Sequence, residues 1–287
     1  MPTDFQILLE SGVLLRCTHF SAQQNPAASL IIIAHGYKGF KDWGMFPYAA
    51  EQLSQKHEVI TFNFSHNGIG EDPFEFTELE KFAVNTYDRE LADLDALIQY
   101  LRREERFREL PLFLIGHSRG AGDCLVYALD HPGEVNGVIS WNGVTNLDLF
   151  TAKQKEEIRA KGRSYVLNGR TNQQMPLDAV ILEDLERQKD RYDILKRLEN
   201  SPKFPLILIQ GSDDGSHLRQ GSAKLISLRP DVDWVQIPGG NHTFCAVHPF
   251  KGTTPQLEQA LQASLAFISA QISKAGCEPS KNRDKQE

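Results

Sequence analysis

Residues 113–122 read FLIGHSRGAG. An apolar run ends at Ile115, and one serine, Ser118, stands between two glycines, Gly116 and Gly120. After it, AGDCLVYALDHPG (121–133) has helical periodicity and stops at a Pro-Gly pair. A strand that ends at Ile115 and a helix that starts at Arg119 leave the serine on a very sharp reversal. Such strain is tolerated only where neighbouring side chains are absent, which the two glycines provide. The hydroxyl would then stand exposed at the C-terminal edge of a sheet, with the amide of Arg119 facing the same space at a helix N-terminus. Glycine at about 7% of residues makes G-x-S-x-G a chance event in roughly one chain in ten of this length, so the flanking strand and helix carry the inference.

The rest of the chain supplies the sheet. SLIIIAH (29–35), HEVITFNF (57–64), LFLIGH (112–117), VNGVISW (135–141), LILIQG (206–211) and VDWVQIPG (232–239) are short, β-branched and largely apolar. Strands so apolar are covered on both faces, as in a parallel sheet. FQILLESGVLLRCTHF (5–20) reads as a strand, a tight turn at Ser11-Gly12 and a returning strand. Helical period runs through 83–103, where Leu91, Leu94, Ile98 and Leu101 share a face, and shorter helices fit 45–56, 119–130, 218–228 and 255–273. Strands alternating with helices predict an α/β fold with a mostly parallel central sheet flanked by helices.

One segment breaks the alternation. Between about 145 and 203 no good strand is visible, and charged amphipathic runs flank the loop LNGRTNQQMPLD. Sixty residues is too long for an ordinary connection, so a helical insertion over one end of the sheet is expected in preference to a second, independent domain. The predicted organisation is a core in two parts, 1–144 and 204–274, a helical cap at 145–203, and a frayed polar tail at 275–287.

Composition narrows the function. The 287 residues are 40% hydrophobic and 24% charged, with a formal net charge of −7. An acidic chain without a basic face is a poor nucleic-acid partner. The first residues lack a secretory signal pattern and no apolar stretch reaches membrane-spanning length, so a cytoplasmic protein with no membrane span is expected. Cys17, Cys124, Cys245 and Cys277 are scattered, with no C-x-x-C pair, and the histidines show no H-x-x-x-H or H-E-x-x-H spacing. Neither disulfide framework nor metal site is predicted.

An unactivated serine needs a base, and the base needs a group to orient it. LILIQGSDDGSH ends a strand at Gly211 and then offers Asp213 and Asp214. VQIPGGNHTF ends another with a glycine turn and then His242; His217 and His248 follow no such turn and rank below it. Either aspartate could serve, since adjacent residues point differently.

With these three motifs in the order Ser, Asp, His, the chain resembles an α/β-hydrolase over about residues 5–273. It is similar to the cytoplasmic serine-hydrolase and esterase branch with a helical cap. The resemblance implies Ser118 as nucleophile, His242 as general base, and the acid three residues past the strand-ending glycine, Asp214. It also implies an oxyanion hole from the backbone N–H of Tyr37, which follows His35-Gly36, and that of Arg119. His35 and His117 occupy positions of structural histidines in such proteins. FNFSHNGIGEDPFEF (62–76) departs from the acid-plus-RGHG motif common in relatives, with Asn63 and Ser65 where charge is often found. In HGYKGFKDWG (35–44) the aromatic side chains either wall an acyl pocket or anchor the loop, and MPLD (175–178) is similar.

The implied activity is hydrolysis of a small or medium carboxylic ester through an acyl-enzyme, with a small-molecule substrate and no cofactor. Amide, peptide or thioester hydrolysis and acyl transfer use the same triad, because the pocket selects the substrate. Haloalkane dehalogenases and epoxide hydrolases carry an aspartate in place of Ser118. A non-catalytic binding module of the same fold is the reading from a different class. Oligomeric state is not legible.

Overall fold

Alternation within each strand divides the core in two. In a computed structural model, which describes residues 1–277, β1 (Thr3–Leu8), β2 (Leu14–Phe20), β3 (Leu30–Ala34), β4 (Glu58–Asn63), β5 (Leu112–His117) and β6 (Gly137–Trp141) precede a separate hairpin, β7 (Arg163–Asn168) and β8 (Gln173–Asp178). The strands β9 (Leu206–Gly211) and β10 (Asp233–Ile237) then complete the sheet. Its order is β1-β2-β4-β3-β5-β6-β9-β10, and only β2 runs antiparallel to its neighbours.

Leu30, Ile32, Leu112 and Leu114 face one layer, where α3 (Tyr87–Arg103), α5 (Arg119–Asp130), α8 (Ile194–Asn200) and α9 (Ser216–Leu228) pack. Ile31, Ile33, Phe113 and Ile115 face the other, against α1 (Met45–Leu53) and α10 (Pro255–Cys277). Burial on both faces is why these strands read as continuous apolar runs. The short helices α2 (Leu79–Ala83) and α4 (Glu105–Arg108) flank α3. The helix expected over 83–103 is α3, which begins at Tyr87: Thr86 caps it by accepting a hydrogen bond from the Arg89 N–H, and the separate α2 ends at Ala83.

Strand order places the site. β4 lies on one side of β3 and β5 on the other, so the chain reverses its direction of travel across the sheet between β3 and β5. Ligands of open α/β sheets occupy the crevice at the C-terminal ends of strands at such a switch point. Register pairs Ala34 with Gly116, which brings His35-Gly36 beside His117-Ser118.

Between β6 and β9 the chain forms α6 (Ala152–Lys161), the β7–β8 hairpin, α7 (Ala179–Arg187) and α8. The expectation of no strand here is corrected by that hairpin. Pro176 and the Asn-Gly-rich LNGRTN argue against strands by local rules. Burial decides otherwise: Met175 and Leu177 of β8 lie in a third apolar cluster with Ile158 and Ile181, with Phe40 and Phe76 of the core loops, and with Phe82 of α2. MPLD therefore anchors the insertion. α10 extends three residues into the predicted tail; the rest of that stretch, 278–287, lies outside the described residues. Among the described residues no helix is long and apolar enough to cross a membrane.

The two glycines of FLIGHSRGAG are explained by packing. A Cβ on Gly116 would overlap the backbone of Gly120 and Ala121, and one on Gly120 would overlap the carbonyls of Ala34 and His35. Helix α5 thus lies directly on the ends of β5 and β3. Gly116→Ala and Gly120→Ala should each lower stability by about 1–3 kcal/mol in urea denaturation, as overpacking does. Gly169→Ala, where a Cβ meets nothing within 4 Å, should stay within about 0.5 kcal/mol of wild type.

Candidate active site

Ser118 sits between β5 and α5 with φ 54° and ψ −117°, a left-handed conformation that a non-glycine residue adopts only when its surroundings impose it. Its N–H donates to the Trp141 carbonyl (2.9 Å), and its own carbonyl accepts from Val144 N–H (3.1 Å). The hydroxyl is left half-buried in a cleft of about 600 Å³ that also contains Asp214 and His242. Tyr37, Val144, Leu149, Phe150 and Leu218 supply its apolar wall.

The structure brings three of the sequence-predicted residues into one chain of hydrogen bonds. His242 Nε2 lies 3.0 Å from Ser118 Oγ, and His242 Nδ1 lies 2.8 Å from Asp214 Oδ1. Asp214 also accepts from the Gly215 N–H (2.8 Å) and, at Oδ2, from Gln210 Nε2 (3.0 Å). Burial pushes its carboxyl pKa up, but the hydrogen bond and charge of His242 with the bonds from Gln210 and Gly215 more than offset this, so it lies below the ordinary value. Asp213 is exposed and, among the described residues, accepts only from the neighbouring Ser212 hydroxyl (2.9 Å). The turn thus separates the two aspartates that the sequence left open.

The other histidines go elsewhere. His248 accepts from the Gly44 N–H (3.0 Å) and stacks on Trp43. His217 is exposed but lines the cleft. His35 is buried; its Nδ1–H donates to the Gly36 carbonyl (2.9 Å) and its Nε2 accepts from Phe64 N–H (3.2 Å). Burial lowers its pKa to about 4, helped by the nearby Arg119 charge. His117 Nε2–H donates to the His242 carbonyl (2.7 Å), and burial, with the adjacent His242, lowers its pKa to about 3. Both are neutral tethers at pH 7.

The two residues proposed for the oxyanion hole flank the serine. A Cβ on Gly36 would lie 2.9 Å from Ser118 Cβ, so only glycine lets the β3 loop that carries Tyr37 approach the serine this closely. Arg119 opens α5, where first-turn amides lack intrahelical partners. Among the described residues neither the Tyr37 nor the Arg119 N–H has a hydrogen-bond partner. The Arg119 side chain turns inward, donating from Nε to Glu90 (2.6 Å) and lying over the Tyr87 ring (3.9 Å). Of the 35–44 loop, Tyr37 and Lys38 line the cleft, whereas Phe40 is buried in the third cluster, so the two readings of the loop apply to different residues.

Sequence reasoning missed Gln210, which supports the acid, and Asn142, which joins three loops. Neither belongs to a spacing motif. The one signal available was position, since each lies at the C-terminal end of an apolar strand.

Residues 25–168, half of the chain, match the family described as serine aminopeptidase, S33. The chain belongs to that family. It is accordingly a hydrolase of the α/β fold. It is similar to the monoglyceride lipase of Rattus norvegicus, 23% identical over 248 residues that cover 77% of each protein. Among solved structures it is similar to Est1E from Butyrivibrio proteoclasticus with ferulic acid bound, with a TM-score of 0.69, 18% identity and coverage of 94% of this chain and 99% of that one. A soluble variant of monoglyceride lipase from Saccharomyces cerevisiae in complex with a substrate analogue gives a TM-score of 0.70 at 17% identity, covering 94% and 96%.

The neutral histidines make a pH prediction. Below pH 6.5 the unfolded chain takes up a proton at residue 35 that the folded chain refuses until about pH 4. The unfolded state binds more protons there, so stability falls as pH falls through that window. Wild type should lose up to about 1.4 kcal/mol more per pH unit than His35→Gln, measured by urea denaturation. Parallel stability profiles would reject a neutral, buried His35.

Proposed function

We propose that this hydrolase cleaves a small or medium carboxylic ester through an acyl-enzyme on Ser118. The observation that carries the reading is the continuous relay from Asp214 through His242 to the strained serine, opening on a partly apolar cleft. Lone serine hydroxyls are weak nucleophiles; one whose proton has an acceptor at 3.0 Å is activated.

In the first half-reaction Ser118 Oγ attacks the ester carbonyl as His242 Nε2 takes its proton. Asp214 accepts from Nδ1–H, holds the productive tautomer and stabilises the imidazolium. Negative charge that develops on the carbonyl oxygen meets the free amides of Tyr37 and Arg119, the latter backed by the α5 N-terminus. Collapse expels the alcohol, protonated by His242, and leaves the acyl group on Ser118. Water then attacks by the same route, with His242 as base and then acid, and the carboxylic acid departs.

The relatives support an ester substrate: the rat protein is named a monoglyceride lipase, and Est1E was solved with ferulic acid. Peptide cleavage is the second reading, because the family is described as a serine aminopeptidase. An aminopeptidase needs an acid for the substrate's ammonium group. In the cleft lining, Asp214 is engaged by His242 and Asp148 is already ion-paired with Lys155. That leaves the ester reading with the better fit.

Ser118→Ala and His242→Ala should each lower turnover of short acyl esters by about 10,000-fold or more, and Ser118→Ala should abolish labelling by a fluorophosphonate probe. Asp214→Asn should cost about 1,000- to 10,000-fold, with Asp213→Asn within about twofold of wild type. Retained turnover in the Ser118 or His242 variant overturns the mechanism. Faster hydrolysis of aminoacyl amides than of matched esters overturns the substrate assignment.

A further inference from the structure

Two hydrogen-bonded units meet at the relay. The first holds the acid and the base: Asp213 N–H donates to the Gly240 carbonyl (2.9 Å), Ser212 N–H to the Ile237 carbonyl (2.9 Å), and Gly239 N–H to the Ser212 hydroxyl (2.9 Å). These bonds zip the turn that bears Asp214 to the loop that bears His242. The second unit holds the serine, through the Ser118–Trp141 and Val144–Ser118 backbone bonds at the ends of β5 and β6. Proton transfer depends on the distance between the units, because the 3.0 Å step from Ser118 to His242 crosses the seam.

Asn142 spans that seam. It follows Trp141 directly, is fully buried, and takes φ 47°, a left-handed conformation. Its N–H donates to the Ile209 carbonyl (3.0 Å). Its Oδ1 accepts from Gly211 N–H (2.8 Å), three residues before the acid. Its Nδ2 donates to the carbonyls of Asn241 (3.3 Å) and of His242 itself (3.0 Å). One side chain therefore grips the acid turn with its acceptor and the base's own backbone with its donors. His117, from β5, donates to the same His242 carbonyl. A primary amide is the group suited to this position: it offers acceptor and donor on one planar tip, and asparagine tolerates the left-handed backbone better than most residues.

We propose that Asn142 is a positioning residue for the reaction, one that sets the Ser118–His242 distance by holding the His242 backbone and the Gly211–Asp214 turn to the end of β6. This rests on the Ser118–His242–Asp214 reading of the site. Asn142 touches neither substrate nor reacting atoms; its effect passes through the imidazole. Displacement of a catalytic group by about 1 Å costs on the order of 100-fold, and His117 remains as a second tether. Loss of the Asn142 side chain should therefore lower kcat by about 10- to 100-fold with little change in KM.

The test uses two variants of the full chain. Asn142→Gly removes the side chain and keeps the left-handed backbone at no steric cost. Asn142→Asp is isosteric and retains an acceptor for Gly211 N–H, but sets a second oxygen against two carbonyls. Each is measured for kcat and KM on a short acyl ester, for the second-order rate of fluorophosphonate labelling, and for its urea midpoint. The expected result is a fall in kcat and labelling rate in both variants, with KM within about twofold. Should Asn142→Gly fail to fold, Asn142→Asp carries the same test. A folded variant with kcat and labelling rate within threefold of wild type overturns the proposal, as does a loss confined to KM. Wild-type protein that the probe does not label at Ser118 would instead refute the serine-hydrolase reading, so the two failures are distinct.

Discussion

Everything at the site depends on how closely α5 lies against the ends of β3 and β5. Gly116 and Gly120 have no side chain where a Cβ would meet the backbone of α5 or of β3. That contact forces the chain to reverse at Ser118 and accounts for its left-handed backbone. The same contact sets the first amide of α5 beside the serine and lets Gly36 approach from β3. The strained serine, the helix N-terminus beside it and the approach of the β3 loop are therefore consequences of one packing constraint.

This hierarchy explains what was legible in the sequence. The strands were, because burial on both faces makes them apolar throughout, and FLIGHSRGAG was, because only glycine fits its two flanking positions. Ser118 and His242 follow from strand ends and glycine turns, which are local features. The choice between Asp213 and Asp214 was not readable from the residues alone, since it depends on the turn after β9, where Asp214 N–H donates to the Gly211 carbonyl (3.1 Å) and Asp213 N–H to the Gly240 carbonyl of a distant loop. The β7–β8 hairpin was hidden for a related reason. Its strands are specified by burial of Met175 and Leu177 against residues as distant in the chain as Phe40, and local propensity points the other way.

The buried charge behind the serine was equally invisible. From the sequence only the amide of Arg119 could be placed; its side chain is almost fully buried against Glu90, with Asp123 of α5 buried beside them. Burial alone would lower the guanidinium's pKa; the facing Glu90 carboxylate raises it instead, and it stays charged. Burial and the neighbouring Glu90 push the Asp123 carboxyl pKa well above its ordinary value. Arg119 and Glu90 form a buried ion pair, and removing a single partner from such a pair costs about 3–5 kcal/mol. The α5 N-terminus is thereby tied to α3 as well as to the sheet.

Histidine illustrates why a partner matters more than proximity. His35, His117 and His242 all stand within the cluster of strand ends, and composition alone cannot rank them. Burial removes the first two from proton chemistry, because a ring held neutral down to about pH 4 or about pH 3 cannot accept a proton at pH 7. His242 differs in two respects: its side chain is 40% exposed, and its Nδ1 faces a carboxylate. A charge formed on that ring has both solvent and Asp214 to stabilise it. The fold thus leaves one imidazole of the three partly exposed beside a carboxylate, and turns its neighbours into tethers by burying them.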